Sequence, residues 1–353
     1  MSKSYTMSLN SKNRVEYIDA LRGATMILVV FSHIACWCFG NRDMGYNDVF
    51  IRFRMPIFFF ISGWVFYKVE RVWNKENIYN ILKNKFRVQF IPFIFFMLLF
   101  ISLFEGSEYP HSFEDKYGYW FTFSLFEFFV LYIVIEYLFN KQSNNQKDFF
   151  VLIVMLILSI MAYYYEIIRY SVDLGAWKLL LTTLSFSKIK YIIFFWLGTF
   201  VKKNFTSYIR LTDNQYFIAA CLSIFLTLLI IPNTNSNYCI EYITYLLSGI
   251  SGIVVLFTFF KKHEVIFSKN NRFGSMLQYI GQRTLDIYLL HYFILPYHMK
   301  QIGTWLSQYS NKSVDMFIIF FLSLWIISIT LLMSNIIRLS PFLAHFLFGA
   351  KRE

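Results

Sequence analysis

Residues 17–33 read Tyr17-Ile-Asp19-Ala-Leu-Arg22-Gly23-Ala-Thr-Met-Ile-Leu-Val-Val-Phe-Ser-His33. Beyond Arg22 no charged residue appears until the histidine, and the stretch continues apolar to Phe39. As a helix advancing about 100° per residue, it puts Arg22 and His33 only about 20° apart around its axis, and Asp19 about 40° from His33. An acid, a base and an imidazole therefore share one stripe. With a rise of about 1.5 Å per residue, His33 lies roughly 21 Å beyond Asp19. If the helix crosses a bilayer, Asp19 and Arg22 sit near one face and His33 about two-thirds of the way across. Ionisable groups at that depth are costly and mark a site or pathway. The plainer alternative is a terminal Asp19–Arg22 pair with one histidine satisfied inside a bundle.

The rest of the chain favours the bilayer. The 353 residues are 57% hydrophobic and only 15% charged, against about 25% charged in soluble domains. The 43 Phe and 25 Tyr suit a lipid-facing surface with aromatic belts. The expected fold class is all-α, a polytopic membrane bundle of about ten transmembrane helices. The expected spans are about 19–39, 48–67, 86–105, 119–139, 149–166, 187–201, 215–232, 239–260, 276–298 and 314–336. Residues 1–353 read as one integral-membrane domain, with no polar stretch long enough for a second. Residues 68–85 mix Trp73, Ile78, Tyr79, Ile81 and Leu82 with Lys, Arg, Asn and Glu, which predicts an amphipathic helix on the membrane surface. No cleavable signal peptide is expected, because the first apolar segment is long and lacks a small-residue cleavage site.

The net charge of +12 does not call for nucleic acid here. The bases lie between apolar spans, and about two-thirds of the 33 Lys and Arg residues fall in the termini and the even-numbered connections. That bias predicts cytoplasmic termini. Glu105, Glu108, Glu114 and Asp115 against Lys116 fit an outer loop, and His33 then lies toward the outer leaflet. Cys36, Cys38, Cys221 and Cys239 lack metal-type spacing and read as packing residues.

Four further constellations bear on chemistry. Arg52 and Arg54 open the second span at the depth expected for His33, with Pro56 and Gly63 following. They point to a shared outer-side site or to interfacial snorkelling. Lys83, Lys85 and Arg87 precede Pro92 at the cytoplasmic start of the third span. Such cations suit an anionic ligand such as coenzyme A phosphates, or simple anchoring to headgroups. In the ninth span, Thr284, Tyr288 and His291 fall at i, i+4 and i+7, beside Arg283 and Asp286. Glu127 and Glu136, with Trp120 at the outer end of the fourth span, are further intramembrane polar groups, functional or structural. There is no P-loop, dinucleotide fingerprint, His-Glu-x-x-His or Gly-x-Ser-x-Gly, and no evident internal repeat.

Taken together these residues resemble the membrane-bound acyltransferase family 3, which includes O-acetyltransferases of surface polysaccharides. The resemblance covers nearly the whole chain. Tyr17 to Gly23 followed by His33 is similar to the family's Arg-x10-His signature. Met55-Pro56 to Ser62-Gly63, Trp120-Phe121, Phe195-Trp-Leu-Gly198 and Thr284 to His291 resemble later landmarks. One departure is that many members carry Arg-x-x-Arg before the third span's Pro, whereas here Asn84 precedes Arg87.

The resemblance implies a ten-helix fold in a bacterial inner (plasma) membrane. The implied reaction is transfer of an acyl group, acetyl by family habit, from cytoplasmic acyl-CoA to a hydroxyl of a surface glycan or glycolipid. His33 is the expected general base or transient acyl carrier, with Asp19 and Arg22 lining the donor route. Lys85 and Arg87 are expected on the donor phosphates, and Arg54, Trp120, Tyr288 and His291 on the acceptor side. The expected partners are acyl-CoA, the glycan acceptor and membrane lipids, with no metal or redox cofactor and no nucleic acid. Two other classes fit the polar stripes: a transporter or flippase for a glycolipid or anionic metabolite, and a non-enzymatic member of a surface-polysaccharide machine.

Overall fold

The computed structural model describes residues 14–39, 45–69, 71–104, 113–139, 144–172, 175–230, 237–296 and 311–350, with 303, 304 and 308. Glu105 and Glu108 lie outside the described residues. All the regular structure described is helical. In chain order the α-helices are α1 (Glu16–His33), α2 (Gly45–Phe66), α3 (Lys75–Lys85), α4 (Ile91–Phe104), α5 (Trp120–Leu138), α6 (Asn144–Ile168), α7 (Ala176–Thr183), α8 (Ile192–Lys203), α9 (Phe205–Asp213), α10 (Gln215–Ile230), α11 (Tyr238–Lys262), α12 (Arg272–Gln282), α13 (Thr284–Leu290), α14 (Lys312–Ile337) and α15 (Pro341–Phe348).

Among the described residues six helices are long and apolar enough to cross a membrane, or eight if two bent pairs each count as one span. The expected ten are thus not reproduced. The segment expected at 187–201 is the second arm of a pair bent by 49° with α7, and that at 215–232 is bent by 86° against α9. The ninth expected span is not one helix. It breaks at Arg283 into α12 and α13, then finishes as a 3₁₀ turn at His291–Phe293. The predicted surface helix at 68–85 is also revised. Helix begins only at Lys75, capped by the Asn74 side chain, and runs on through a π turn into α4. No residue of α3 is buried, and α3, the π turn and α4 together make one 30-residue candidate span, Lys75–Phe104. Of the cysteines expected in packing, Cys38 is buried, but Cys239 is exposed beside the Tyr164 hydroxyl.

Two close helix crossings fix the bundle around α1 and α2. A Cβ added to Gly23 would lie 2.0 Å from the Leu277 carbonyl oxygen, and one on Gly281 would lie 1.8 Å from that of Asp19. Likewise Gly63 and Gly198 let α2 and α8 touch, each facing the other helix's carbonyl at 1.9 Å. Without a hydrophobic drive between helices in lipid, small residues that bring backbones together supply the packing energy. The first crossing sits beside Arg22, so it holds the polar stripe of α1 against α12 and α13.

Two π turns interrupt the helices. Ile34–Cys38 follows His33 directly, with Phe39 N–H donating to Ile34 O at 3.1 Å. Phe86–Phe90 joins α3 to α4 just after Lys85. Such turns frequently mark functional sites.

Candidate active site

His33, at the C-terminal end of α1, meets His291, at the end of α13: His33 Nδ1 lies 2.8 Å from His291 Nε2. His291 is fully buried, and its Nδ1 is 2.9 Å from the Ile287 carbonyl oxygen. A carbonyl only accepts, so in the neutral pair His291 carries its proton on Nδ1 and accepts at Nε2. The proton between the rings then belongs to His33 Nδ1, and the basic lone pair of His33 is on Nε2. This is a base oriented by a second imidazole, itself oriented by backbone. Trp37 stacks on the His33 ring at 4.4 Å between centroids, and Tyr292 lies 5.4 Å away on the same ring.

The aromatic shell is held from behind. The Tyr288 and Tyr292 hydroxyls both donate to Gly118 O, at 2.9 and 2.7 Å, and Tyr288 also accepts from Phe121 N–H. Gly118 closes residues 113–118, whose Lys116 and Tyr117 both take left-handed φ, near 50°. Tyr288 therefore braces the start of α5 with its hydroxyl fully engaged by backbone. Arg54 lies in electrostatic reach of Cys36, Tyr191 and Tyr292, with Nε and Nη1 buried and without a hydrogen-bond partner. Trp120 stacks on Tyr191 at 5.7 Å, with Lys188 over its other neighbourhood at 5.0 Å from the ring centre. The expected outer-side residues thus converge: His33, His291, Arg54 and Trp120 are linked through Tyr191 and Tyr292.

At the other end of α1 a cavity of about 1490 Å³ opens. Arg14, Arg22, Lys68, Arg71, Lys85 and Lys202 line it, against Glu16 and Glu264. Arg22 Nη2 donates to Thr284 Oγ1 at 2.8 Å, and Nη1 is 3.8 Å from the Asp19 carboxylate. Asp19 is buried, takes a hydrogen bond from Gln282 and does not line the cavity, so it positions Arg22. Lys85 sits over the Phe129 ring at 3.9 Å.

Arg87 points elsewhere, to His345 Nε2 at 2.8 Å and to Asn84 Oδ1 at 3.1 Å. The structure thus separates the two cations expected to act together, and Asn84, which departs from the family pattern, is the one at the cavity wall. Burial pulls the Arg71 guanidinium below its ordinary value, opposed by Tyr132 and Glu136; an anionic ligand would oppose it further.

Sequence reasoning missed Trp37, Tyr191 and Tyr292, which carry no charge to mark them, and Arg14, Arg71 and Lys202, which read as topogenic charges. Glu136 pairs with Lys147 at 2.5 Å, whereas Glu127 Oε2 is buried without a hydrogen-bond partner. Asp286 is structural: Arg338 binds both its oxygens at 2.7 and 2.9 Å, and Ser334 donates to it. No cluster that could hold a metal ion occurs among the described residues.

A family model described as an acyltransferase domain matches residues 15–333. No curated protein and no solved structure matches the chain.

Proposed function

The chain belongs to acyltransferase family 3, and from that premise we propose that it moves an acyl group, acetyl in the simplest case, from cytoplasmic acyl-CoA to a hydroxyl of a surface glycan or glycolipid. The observation that carries the reading is the two-ended character of α1. A cation-lined cavity lies at Arg22, and an oriented imidazole lies eleven residues on, roughly 16 Å along the axis. The donor's phosphates lie among the cavity cations, with Lys85 and Arg22 among them, and its thioester extends toward His33. The glycan enters from the outer side, against Arg54 and Trp120.

His33 Nε2 takes the proton of the acceptor hydroxyl as that oxygen attacks the thioester carbonyl. A C–O bond forms, the C–S bond breaks, and the departing thiolate ends as the thiol by taking up a proton. His291 holds the ring in the tautomer that leaves Nε2 basic. In the covalent variant the same nitrogen first carries the acyl group. No resident metal or redox group enters this scheme. The protein sits in a bacterial plasma membrane with both termini in the cytoplasm.

The test is incorporation of labelled acetyl from acetyl-CoA into glycan by membranes bearing the protein, together with mass spectrometry of surface glycans from a deletion strain. Absence of transfer, with an intact solute carried across instead, returns the polar stripes to a translocation path. Reporter fusions after Lys203 should read cytoplasmic and fusions near Glu114 outside; the reverse pattern refutes the orientation.

A further inference from the structure

A second cavity, of about 190 Å³, adjoins the large one. The two share Tyr67, Lys68, Val69 and Arg71, so the strap after α2 is their common wall. The small cavity has aromatic sides, Tyr67, Trp73, Tyr132 and Trp196, and an edge where the carboxylates Glu136 and Asp148 stand beside Lys147 and Lys203. Both acids are already tied: Glu136 to Lys147 at 2.5 Å, and Asp148 to Lys203 at 2.8 and 2.9 Å. The edge is therefore a fixed rim rather than a loose charge cluster. Arg71 on the common wall lies over the Phe66 ring at 4.4 Å and the Trp73 ring at 5.4 Å, and its Nη1 is buried without a hydrogen-bond partner.

A cavity of this size holds about one ring system, well below the 300–1,000 Å³ of sites for whole drug-sized ligands. Flat aromatic walls suit a base, because every base offers a π-face to stack on. The carboxylate oxygens of the rim have lone pairs left to accept from an exocyclic amine. The orphaned guanidinium nitrogen and Lys68 stand where a phosphate-bearing ribose would join the base to a chain in the larger cavity.

We propose that the small cavity seats the purine base of the acyl donor, with Arg71 and Lys68 on the adjoining phosphates, so that the donor straddles the strap and is held at its nucleotide end apart from the reacting thioester. This rests on the reading of the donor as an acyl-CoA. Trp73 and Arg71 then set the preference for a nucleotide-bearing donor over a bare pantetheine thioester.

The test uses the full-length protein in lipid nanodiscs and measures equilibrium binding of three probes: radiolabelled acetyl-CoA, adenosine 3′,5′-bisphosphate as its competitor, and acetyl-4′-phosphopantetheine, which lacks the nucleotide. In the wild type the bisphosphate should displace acetyl-CoA. Trp73→Ala should weaken acetyl-CoA and the bisphosphate roughly tenfold, the loss expected for one stacking ring, and leave acetyl-phosphopantetheine unchanged. Trp73→Phe should restore most of the affinity. If acetyl-CoA binds but the bisphosphate does not compete, or Trp73→Ala binds all three as the wild type does, the base sits elsewhere and the donor reading stands. If the wild type binds no acetyl-CoA, the donor reading fails and this inference falls with it. If Trp73→Ala loses all three probes through misfolding, the wild-type competition and Trp73→Phe decide.

Discussion

The two ends of α1 are built on opposite plans. Around His33 the groups are tightly partnered: imidazole to imidazole to carbonyl, with Trp37 and Tyr292 against the ring. Around Arg22 the space is wide, cations outnumber the two acids Glu16 and Glu264, and long basic side chains reach in from α1, α3, α8 and the strap. A narrow, relayed site sets the orientation of one proton. A broad basic one suits a large anion. On the proposed reading, changes at one end should fall on turnover, and at the other on the donor's half-saturation.

The largest effect should come from His33→Gln. Glutamine can still hydrogen-bond but cannot take a proton near neutral pH or form a labile acyl intermediate. Acetyl incorporation into glycan should drop at least about a hundredfold, within the usual range for a general base, while acetyl-CoA binding stays intact. Near-normal transfer would remove His33 from the chemistry; loss of the protein from the membrane would make it a packing residue. Next comes His291→Gln, where the base survives but its orientation loosens. A loss of roughly tenfold in kcat, with unchanged donor KM, is expected; a loss equal to that of His33→Gln would exchange their roles.

At the basic end, Lys85→Gln should raise the acetyl-CoA KM roughly tenfold, as for one charge-assisted contact, and more at low salt. Its kcat should hold, as when uniform binding is removed. A kcat effect instead would dissolve the distinction between the ends. The smallest effect should be that of Arg87→Gln. Because its guanidinium is engaged by His345 and Asn84, donor KM should stay within about twofold. Parity with Lys85→Gln would restore the joint role that adjacency in sequence suggests.

Much of this was legible along α1. The stripe Asp19–Arg22–His33 follows from helical period alone, and both ends of it lie where the spacing puts them. The convergence of His33 with His291 was not derivable from either helix, because it depends on the Gly23–Gly281 crossing, a contact between residues 258 apart in sequence. The count of ten spans is not confirmed among the described residues, which give six to eight. Hydropathy counts apolar length, but α7, α9 and the α12–α13 joint bend or break the chain where composition shows little change. The cations of the large cavity were half legible: positive charge beside an apolar span reads first as an orientation signal, whether or not it binds anything, so Arg71 and Lys202 carried no separate signal. Arg87 shows the converse, a charge in the right stretch of sequence turned toward a C-terminal helix.

The π turn at Ile34–Cys38 has a consequence for how relatives of this chain are compared. A hydrogen bond from i+5 to i encloses one residue more than an α-turn does. Losing a single residue there would let the segment close into α-helix and swing everything beyond it by about 100°, carrying Trp37 off the His33 ring. Two chains that differ by one position between His33 and Phe39 would therefore differ in the aromatic wall around His33, although every aligned letter elsewhere agreed. A gap inside a helix, ordinarily treated as an alignment error, is at this place a change of chemistry.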